Sequence, residues 1–362
     1  MQETDPLAVL TGAQPQFSDD EAVRLLQEYY GLDVTVQSLV SERDQNFHAT
    51  DSTGNEYVLK IANSAEPAEV TDFQVQALLY ISQHILDTGI PITAPRIIPT
   101  VDDECSFKYS STGSTNIVRL VTFIPGRLLE ASTTSLSLAR NLGRYLAWLD
   151  RALRGFDHVG SGHSLLWDMQ QALKLRDLLQ YIREPDAVKN VTEALDDFER
   201  YALPIYSEMR SQVIHNDMNP DNVLVDSYDQ NQPAGIIDFG DMLKAPLITD
   251  VAIACSYLRI AEGNPLTLIG EFISGYHRVT PLEPIEIDLM LELIQARLCA
   301  SISIPDWRTS LRGAEDPYLV ARVGGPGSAK HFLAQLREIP RENARVVFRQ
   351  VCASVRKDSH EQ

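Results

Sequence analysis

The chain has 362 residues, with 31 Lys and Arg against 50 Asp and Glu, a formal net charge of −19 and a pI near 4.8. Hydrophobic residues make up 44% and charged residues 22%. Those values suit a globular chain with a sizeable core, and at roughly 150 residues per domain they suggest about two domains. The acidic surplus argues against nucleic acid or anionic membrane as partner, since both need clustered Lys and Arg. An anionic ligand must then be held locally, by a metal, a helix N-terminus or one or two placed cations.

Cys105, Cys255, Cys299 and Cys352 form no CxxC pair and lack zinc-finger spacing to any histidine, so free thiols in a reducing compartment are expected. The N-terminus MQETDPLAVLTGAQPQ resembles neither a signal nor a transit peptide. No run approaches about 18 apolar residues. A soluble cytoplasmic protein is expected.

Residues 1–16 read as a flexible tail. Ser18 then opens a helix, with Glu21 completing a capping box; Val23, Leu26 and Tyr30 share a face, and Gly31 ends it. Val34 to Val40 reads as a strand. A polar loop, Ser41 to Asn46, leads to Phe47–Thr50, a turn at 51–55 and the strand Tyr57-Val58-Leu59-Lys60-Ile61. There Val58 and Lys60 face one way, and Tyr57, Leu59 and Ile61 the other. Such a lysine is either functional or an exposed edge residue. Phe73, Ala77, Leu78, Ile81 and Ile85 recur at helical spacing until Gly89, Pro91 and Pro95. Phe107–Tyr109 and Asn116–Ile124 read as paired strands. Helical patterns then dominate, at about 135–154, 167–183, 188–209, 248–261, 266–277 and 282–300, interrupted by short β-like pieces at 223–225 and 235–237. The expected class is α+β, with a lobe at 17–125 built on an antiparallel sheet and a larger, mostly helical lobe at 126–362.

The segment His215-Asn216-Asp217-Met218-Asn219-Pro220-Asp221-Asn222 contains H-x-D-x-x-x-x-N and runs into the strand Val223-Leu224-Val225. Sixteen residues after Asn222, Gly235-Ile236-Ile237 delivers Asp238-Phe239-Gly240-Asp241. Two strands that each present a carboxylate at a turn suit phosphoryl transfer to a hydroxyl. A nucleoside triphosphate needs Mg²⁺ to neutralise its charge, and magnesium prefers a few oxygen ligands plus phosphates and water. Asp238 can supply a carboxylate and Asn222 an amide oxygen. Asp217 would orient the attacking hydroxyl and accept its proton late. His215 is expected to brace the loop, and Lys60 to reach the α/β-phosphates. Alternatively Asp217 and Asn222 only cap turns. A metal-hydrolase site is weaker, because no second histidine lies at ligand spacing.

HNDMNPDN with IIDFGD resembles the aminoglycoside phosphotransferase/choline kinase family of small-molecule kinases. The resemblance implies a bilobal protein-kinase-like fold with a nucleotide between the lobes. It implies Asp217 as catalytic base, Asn222 and Asp238 as magnesium ligands and Lys60 as the phosphate-binding lysine. The sequence departs from the kinase pattern twice. The 41–47 loop has no glycine, so phosphates would meet backbone amides and Ser41 or Asn46. Gln74 stands where a glutamate should pair with Lys60, with Glu69 and Asp72 nearby. Phe123-Ile124-Pro125-Gly126 is either the hinge that touches the purine or a plain interdomain turn.

From about residue 17 to 320, RDQNFHA, EYVLKIAN, VRLVTFIPGR, IIDFGDM and VTPLEPIE…RLCASI look like hydroxylysine kinases, and like phosphotransferase domains fused to aminotransferase-like modules. The implied acceptor is an amino alcohol or hydroxy amino acid, 5-hydroxy-L-lysine first, with GTP or ATP as donor. Homoserine, choline, ethanolamine and aminoglycosides remain alternatives, as does a pseudokinase-like nucleotide-binding regulator. Asp241, Arg297 and Trp307 are candidate substrate contacts; Arg297 could equally be structural, and Trp307 a core residue.

Overall fold

The computed structural model describes residues 14–111, 113–312 and 327–358. The chain divides into two compact units. The first runs to Gly89, resumes at Thr93–Pro125 and takes in Phe156–Ser164; the second holds Ile90–Ile92, Gly126–Gly155 and everything from Leu165. Residues 1–13 of the expected tail lie outside the described residues, and Gln14 donates its side-chain amide to the carbonyls of Ser41 and Glu42.

The first unit begins with α1 (Asp19–Tyr30). The Ser18–Glu21 capping box is present, and Gly31 closes the helix with φ 66°. Its buried face is Ala22, Leu25, Leu26 and Tyr30; Val23 is only half-buried. Strands β1 (Val34–Leu39), β2 (Gln45–Asp51), β3 (Glu56–Ile61), β4 (Ile97–Ile98), β5 (Phe107–Ser111) and β6 (Ser114–Thr122) form one antiparallel sheet ordered β1-β2-β3-β6-β4, with β5 also paired to β6. Because β-strand side chains alternate, Phe47, Leu59 and Leu120 fall opposite one another on one face and join α1 in the core. Asn46, Lys60 and Arg119 form the equivalent row on the other face. The strand carrying Lys60 is interior, not an edge. Helix α2 (Ala68–Thr88) follows β3. The turn at 159–162 packs against it because Gly160 has no side chain; a Cβ there would meet the Glu69 carbonyl oxygen at 2.3 Å.

The second unit carries β7 (Arg127–Leu128), α3 (Leu136–Ala152), α4 (Pro185–Asp197), β8 (Ser211–Ile214), β9 (Val223–Val225), β10 (Pro233–Ile236) and β11 (Leu243–Pro246). Then come α5 (Ile248–Ser256), α6 (Leu266–Val279), α7 (Pro284–Asp288), α8 (Met290–Arg312), α9 (Ala329–Arg337) and α10 (Arg341–Asp358). Three small antiparallel pairings, β10-β9-β7 and β11-β8, complete it.

Three differences from the sequence expectations have physical causes. Residues Met169–Tyr181 wind as 3₁₀ turns; their buried residues Met169, Ala172, Leu175 and Leu178 are spaced by three, the period that aligns them on such a helix. α8 passes through Pro305 because the buried Ile302, Ile304 and Trp307 carry its apolar face onward. The strands β8 and β11 are four residues each, too short for alternation to reveal. Among the described residues no helix is long and apolar enough to cross a membrane.

α3 and α6 cross backbone to backbone. A Cβ on Gly143 would lie 2.0 Å from the Phe272 carbonyl oxygen, and one on Gly275 would lie 1.9 Å from that of Arg140. Gly275→Ala should therefore cost about 3 kcal/mol or more, whereas Gly162→Ala, with nothing within 4 Å, should be near neutral; denaturation midpoints read both.

Asp168, 5% exposed, caps the 3₁₀ segment through the Gln170 N–H at 2.9 Å. Burial pushes its carboxyl up to about 6, against the lowering effect of the hydrogen bonds from Gln170. The folded state therefore holds this proton more tightly than the unfolded chain. The group's contribution to stability falls as pH rises from about 4 to about 6. Asp168→Asn, which keeps the capping oxygen, should raise stability by about 1–3 kcal/mol above pH 6. The gain should shrink towards pH 4 in thermal denaturation across that range.

Candidate active site

The site grows from two hairpin-like pairings in the second unit. β8 ends at Ile214 and hands the chain to His215. The carboxylate of Asp250, at the start of α5, accepts the N–H groups of His215 and Asn216, both at 2.9 Å. Held this way, Asn216 adopts φ 64°, a left-handed conformation uncommon for a residue with a side chain. Its amide nitrogen bonds the Asp241 carbonyl at 3.1 Å.

His215 braces the turn as expected. Its Nδ1 accepts the Asp217 N–H at 3.3 Å, and its Nε2 donates to the Ile237 carbonyl at 3.1 Å. The ring stands edge-on to Phe239, 4.8 Å between centroids. Burial pulls its pKa down, with Asp250 opposing. A neutral ring with one donor and one acceptor fits both bonds.

Asp217 is gripped on both oxygens. Oδ1 accepts from Arg297 Nη2 at 2.8 Å, and Oδ2 accepts from Asn219 Nδ2 and Asn222 Nδ2, each at 2.8 Å. Burial pushes its carboxyl up to about 8; Arg297 pulls down, while Asp241 and Asp238 push up. Asn222 also donates Nδ2 to the Asp217 carbonyl at 3.0 Å. With the nitrogen spent, the amide oxygen of Asn222 is the end left for another ligand.

β9 and β10 pair so that Val223 lies opposite Ile236, and the Ile237 N–H donates to the Asn222 carbonyl at 2.9 Å. That pairing sets Asn222 beside the start of Asp238-Phe239-Gly240. Asp238 is exposed, with φ 59°, and accepts the Gly240 N–H at 3.3 Å. One amide oxygen and one carboxylate are hard oxygen donors of the kind magnesium takes. Among the described residues no three His, Cys, Asp or Glu side chains cluster to hold a metal by themselves. An ion here would thus complete its shell with phosphate oxygens and water.

The candidate substrate contacts separate. Asp241 is buried, with its carbonyl held by Asn216. Arg297 is 2% exposed. Besides Asp217, it bonds the Trp167 carbonyl at 3.3 Å and the Tyr257 hydroxyl at 3.4 Å, and its guanidinium lies 4.8 Å from the Trp167 ring centroid. Trp307 is buried in α8 and lines no part of the cavity beside residues 218–221. Sequence reasoning missed Trp167, Tyr257 and Asp250; only the charge of Asp250 on the apolar helix ITDVAIACS hinted at one of them.

Lys60, Ser41, Asn46, Phe123 and Ile124 belong to the first unit. Lys60 faces Asn46 on β2 and Arg119 on β6. The Ser41 carbonyl accepts from Gln14 at 2.6 Å. Phe123 follows β6 with its ring 4.6 Å from His48, and Ile124 is buried beside it in sequence. Gln74 turns its amide oxygen to the buried Arg119 and its nitrogen to Glu66 at 3.5 Å. Arg119 thus holds the position of α2 that the sequence assigned to a partner of Lys60. A charge inside the apolar strand run VRLV was the available signal.

A family model described as "Phosphotransferase enzyme family" matches residues 35–284. The hydroxylysine kinase of Xenopus laevis is 27% identical over 348 residues, covering 88% of this chain and 90% of that protein. That of Bos taurus is 28% identical over 328 residues, covering 85% and 86%. Among solved structures, an amicoumacin kinase in complex with AMP-PNP and Ca²⁺ superposes with a TM-score of 0.63 at 16% identity, covering 91% of this chain and 94% of that one. A microcompartment-associated aminopropanol kinase gives 0.62 at 17%, covering 92% and 97%. The α+β, protein-kinase-like fold expected from the motifs is the fold of this chain, and with more than half its length matched by one family model, the chain belongs to the phosphotransferase enzyme family.

Proposed function

We propose that this protein transfers the γ-phosphoryl group of GTP or ATP to the hydroxyl of an amino alcohol or hydroxy amino acid, with 5-hydroxy-L-lysine as the leading acceptor. The observation that carries this is the set around Asp217: a carboxylate fixed on both oxygens, with the Asn222 amide oxygen and the Asp238 carboxylate beside it. The curated relatives named hydroxylysine kinase, which match over most of their length, support the acceptor class.

Asp217 orients the acceptor hydroxyl and takes its proton as the new O–P bond forms and the bond to the β-phosphate oxygen breaks. Asn222 and Asp238 are the residues to hold Mg²⁺, which when bound neutralises the charge developing on the phosphate oxygens. Lys60 serves the α/β-phosphates. Ser41 and Asn46, with the backbone amides of the 41–46 segment, serve the phosphates where a glycine-rich loop is missing. Phe123 and Ile124 serve the base.

A panel of 5-hydroxylysine, homoserine, choline, ethanolamine and an aminoglycoside, each with GTP and with ATP, tests the acceptor. The highest kcat/KM should fall on 5-hydroxylysine. Turnover of choline alone would remove that assignment and leave the phosphotransferase intact. A regulator that binds nucleotide without turnover is favoured by one observation, the surrender of Gln74 to Arg119; silence on every acceptor alongside a nucleotide-dependent thermal shift would select it.

Asp217→Asn keeps the shape between Arg297 and Asn222 while removing the proton acceptor. It should lower kcat by about 10²–10⁴-fold and leave the thermal shift with Mg²⁺-nucleotide largely intact. Retained kcat would overturn the role given to Asp217.

A further inference from the structure

Within the second unit, α3, α6 and α10 border a cavity of about 440 Å³. Among the described residues it shares no lining side chain with the cavity beside residues 218–221. Helical spacing builds it. Arg140 and Arg144 stand one turn apart on α3, and Ser274 and Arg278 one turn apart on α6, so each pair presents to one side. Val347 and Val351, four apart on α10, give it an apolar wall.

Three arginines therefore meet on a chain whose net charge is −19. Glu271 balances one of them. Its Oε2 accepts from Arg140 Nε at 2.7 Å and from Arg140 Nη2 at 2.6 Å. Among the described residues, Arg144 has a long bond of 3.4 Å to the Asn141 side-chain oxygen, and no carboxylate pairs with Arg144 or Arg278. Burial lowers the pKa of Arg144, and the charges of Arg278 and Arg140 lower it further. Two guanidinium charges thus repel one another across the cavity, Arg144 half-buried and Arg278 exposed, with the half-buried Ser274 hydroxyl in the same lining.

We infer that this cavity is a binding site for a phosphate dianion, free or carried by a small monoester, held by Arg144 of α3 and Arg278 of α6 with the Ser274 hydroxyl as a further donor. The guanidinium fork matches phosphate oxygens, and a phosphate monoester carries about −1.5 to −2 charge near pH 7, enough to offset the two unbalanced arginines. The bound dianion replaces a repulsion between two helices with an attraction they share. α3 and α6 also carry Asp150 and Tyr276, joined at 2.5 Å, so the ligand braces the crossing on which that bond depends.

Calorimetric titration of inorganic phosphate and of glycerol 3-phosphate, into the wild type and Arg144→Gln/Arg278→Gln at matched ionic strength, tests the site. The wild type should bind, and the double variant about 10–100-fold more weakly, as loss of charge-assisted hydrogen bonds does. Tighter binding of the ester, through contact with Val347 and Val351, assigns the occupant to a small phosphate monoester; the reverse order assigns it to the free ion. Thermal denaturation of the single variant Arg278→Gln, changed at an exposed position, gives a second readout. Phosphate stabilises proteins in general by exclusion from their surface, and that effect acts on variant and wild type alike. Beyond it, the difference in midpoint should widen in favour of the wild type as phosphate replaces chloride. Wild-type binding that is absent, or that the double variant leaves unchanged, overturns the assignment, as does a difference in midpoint that phosphate does not alter.

Discussion

The Asp250 carboxylate is the constraint on which the site depends. It collects two successive backbone N–H groups and so holds Asn216 in a left-handed turn that its side chain alone would not favour. That turn follows β8 and brings Asp217 to the Arg297 guanidinium. Asp250 is itself supported from behind. Asp150, 1% exposed, accepts the Tyr276 hydroxyl at 2.5 Å, and burial together with the charge of Asp250 raises its carboxyl well above the usual range. Tyr276 stands on α6 and Asp150 on α3, the pair brought to backbone contact at Gly143 and Gly275. A glycine contact between two helices and the setting of the Asp217 carboxylate are thus parts of one packed assembly.

Electrostatically, the site is an acidic cluster with one enclosed cation. Asp241 and Asp238 raise the cost of ionising Asp217, and Arg297 is the main opposing charge. Arg297 can remain buried because its two terminal nitrogens bond Asp217, the Trp167 carbonyl and the Tyr257 hydroxyl and its guanidinium lies against the Trp167 ring, contacts that offset desolvation. The remaining negative charge suits a divalent cation, for which Asn222 and Asp238 would supply oxygen donors.

The sequence made the chemistry more legible than the architecture around it. H-x-D-x-x-x-x-N and the DFGD turn were readable because the reacting groups sit close together along the chain. The capping box at Ser18 and the pairing of 107–109 with 116–124 were readable for the same reason: local bonds leave local patterns. Asp250, Trp167 and Tyr257 reach the site from 33 residues after, 50 before and 40 after Asp217, and nothing local marks them. The 3₁₀ winding of 169–181 was hidden because apolar residues three apart also suit one face of an α-helix. Arg297 was visible, but its pairing with Asp217 depends on the path of α8, which no spacing encodes.

The Arg119–Gln74–Glu66 chain also limits how this protein can change over evolution. A glutamate at position 74 would resemble the usual kinase arrangement, but it would face Arg119, which already bonds that side chain, and would stand beside the carboxylate of Glu66, whose pKa burial already raises. The guanidinium would capture the new charge before any neighbouring ammonium shared it. Reversion at that position is therefore coupled to positions 119 and 66, and a lineage that acquired this triad would be expected to keep or lose all three residues together.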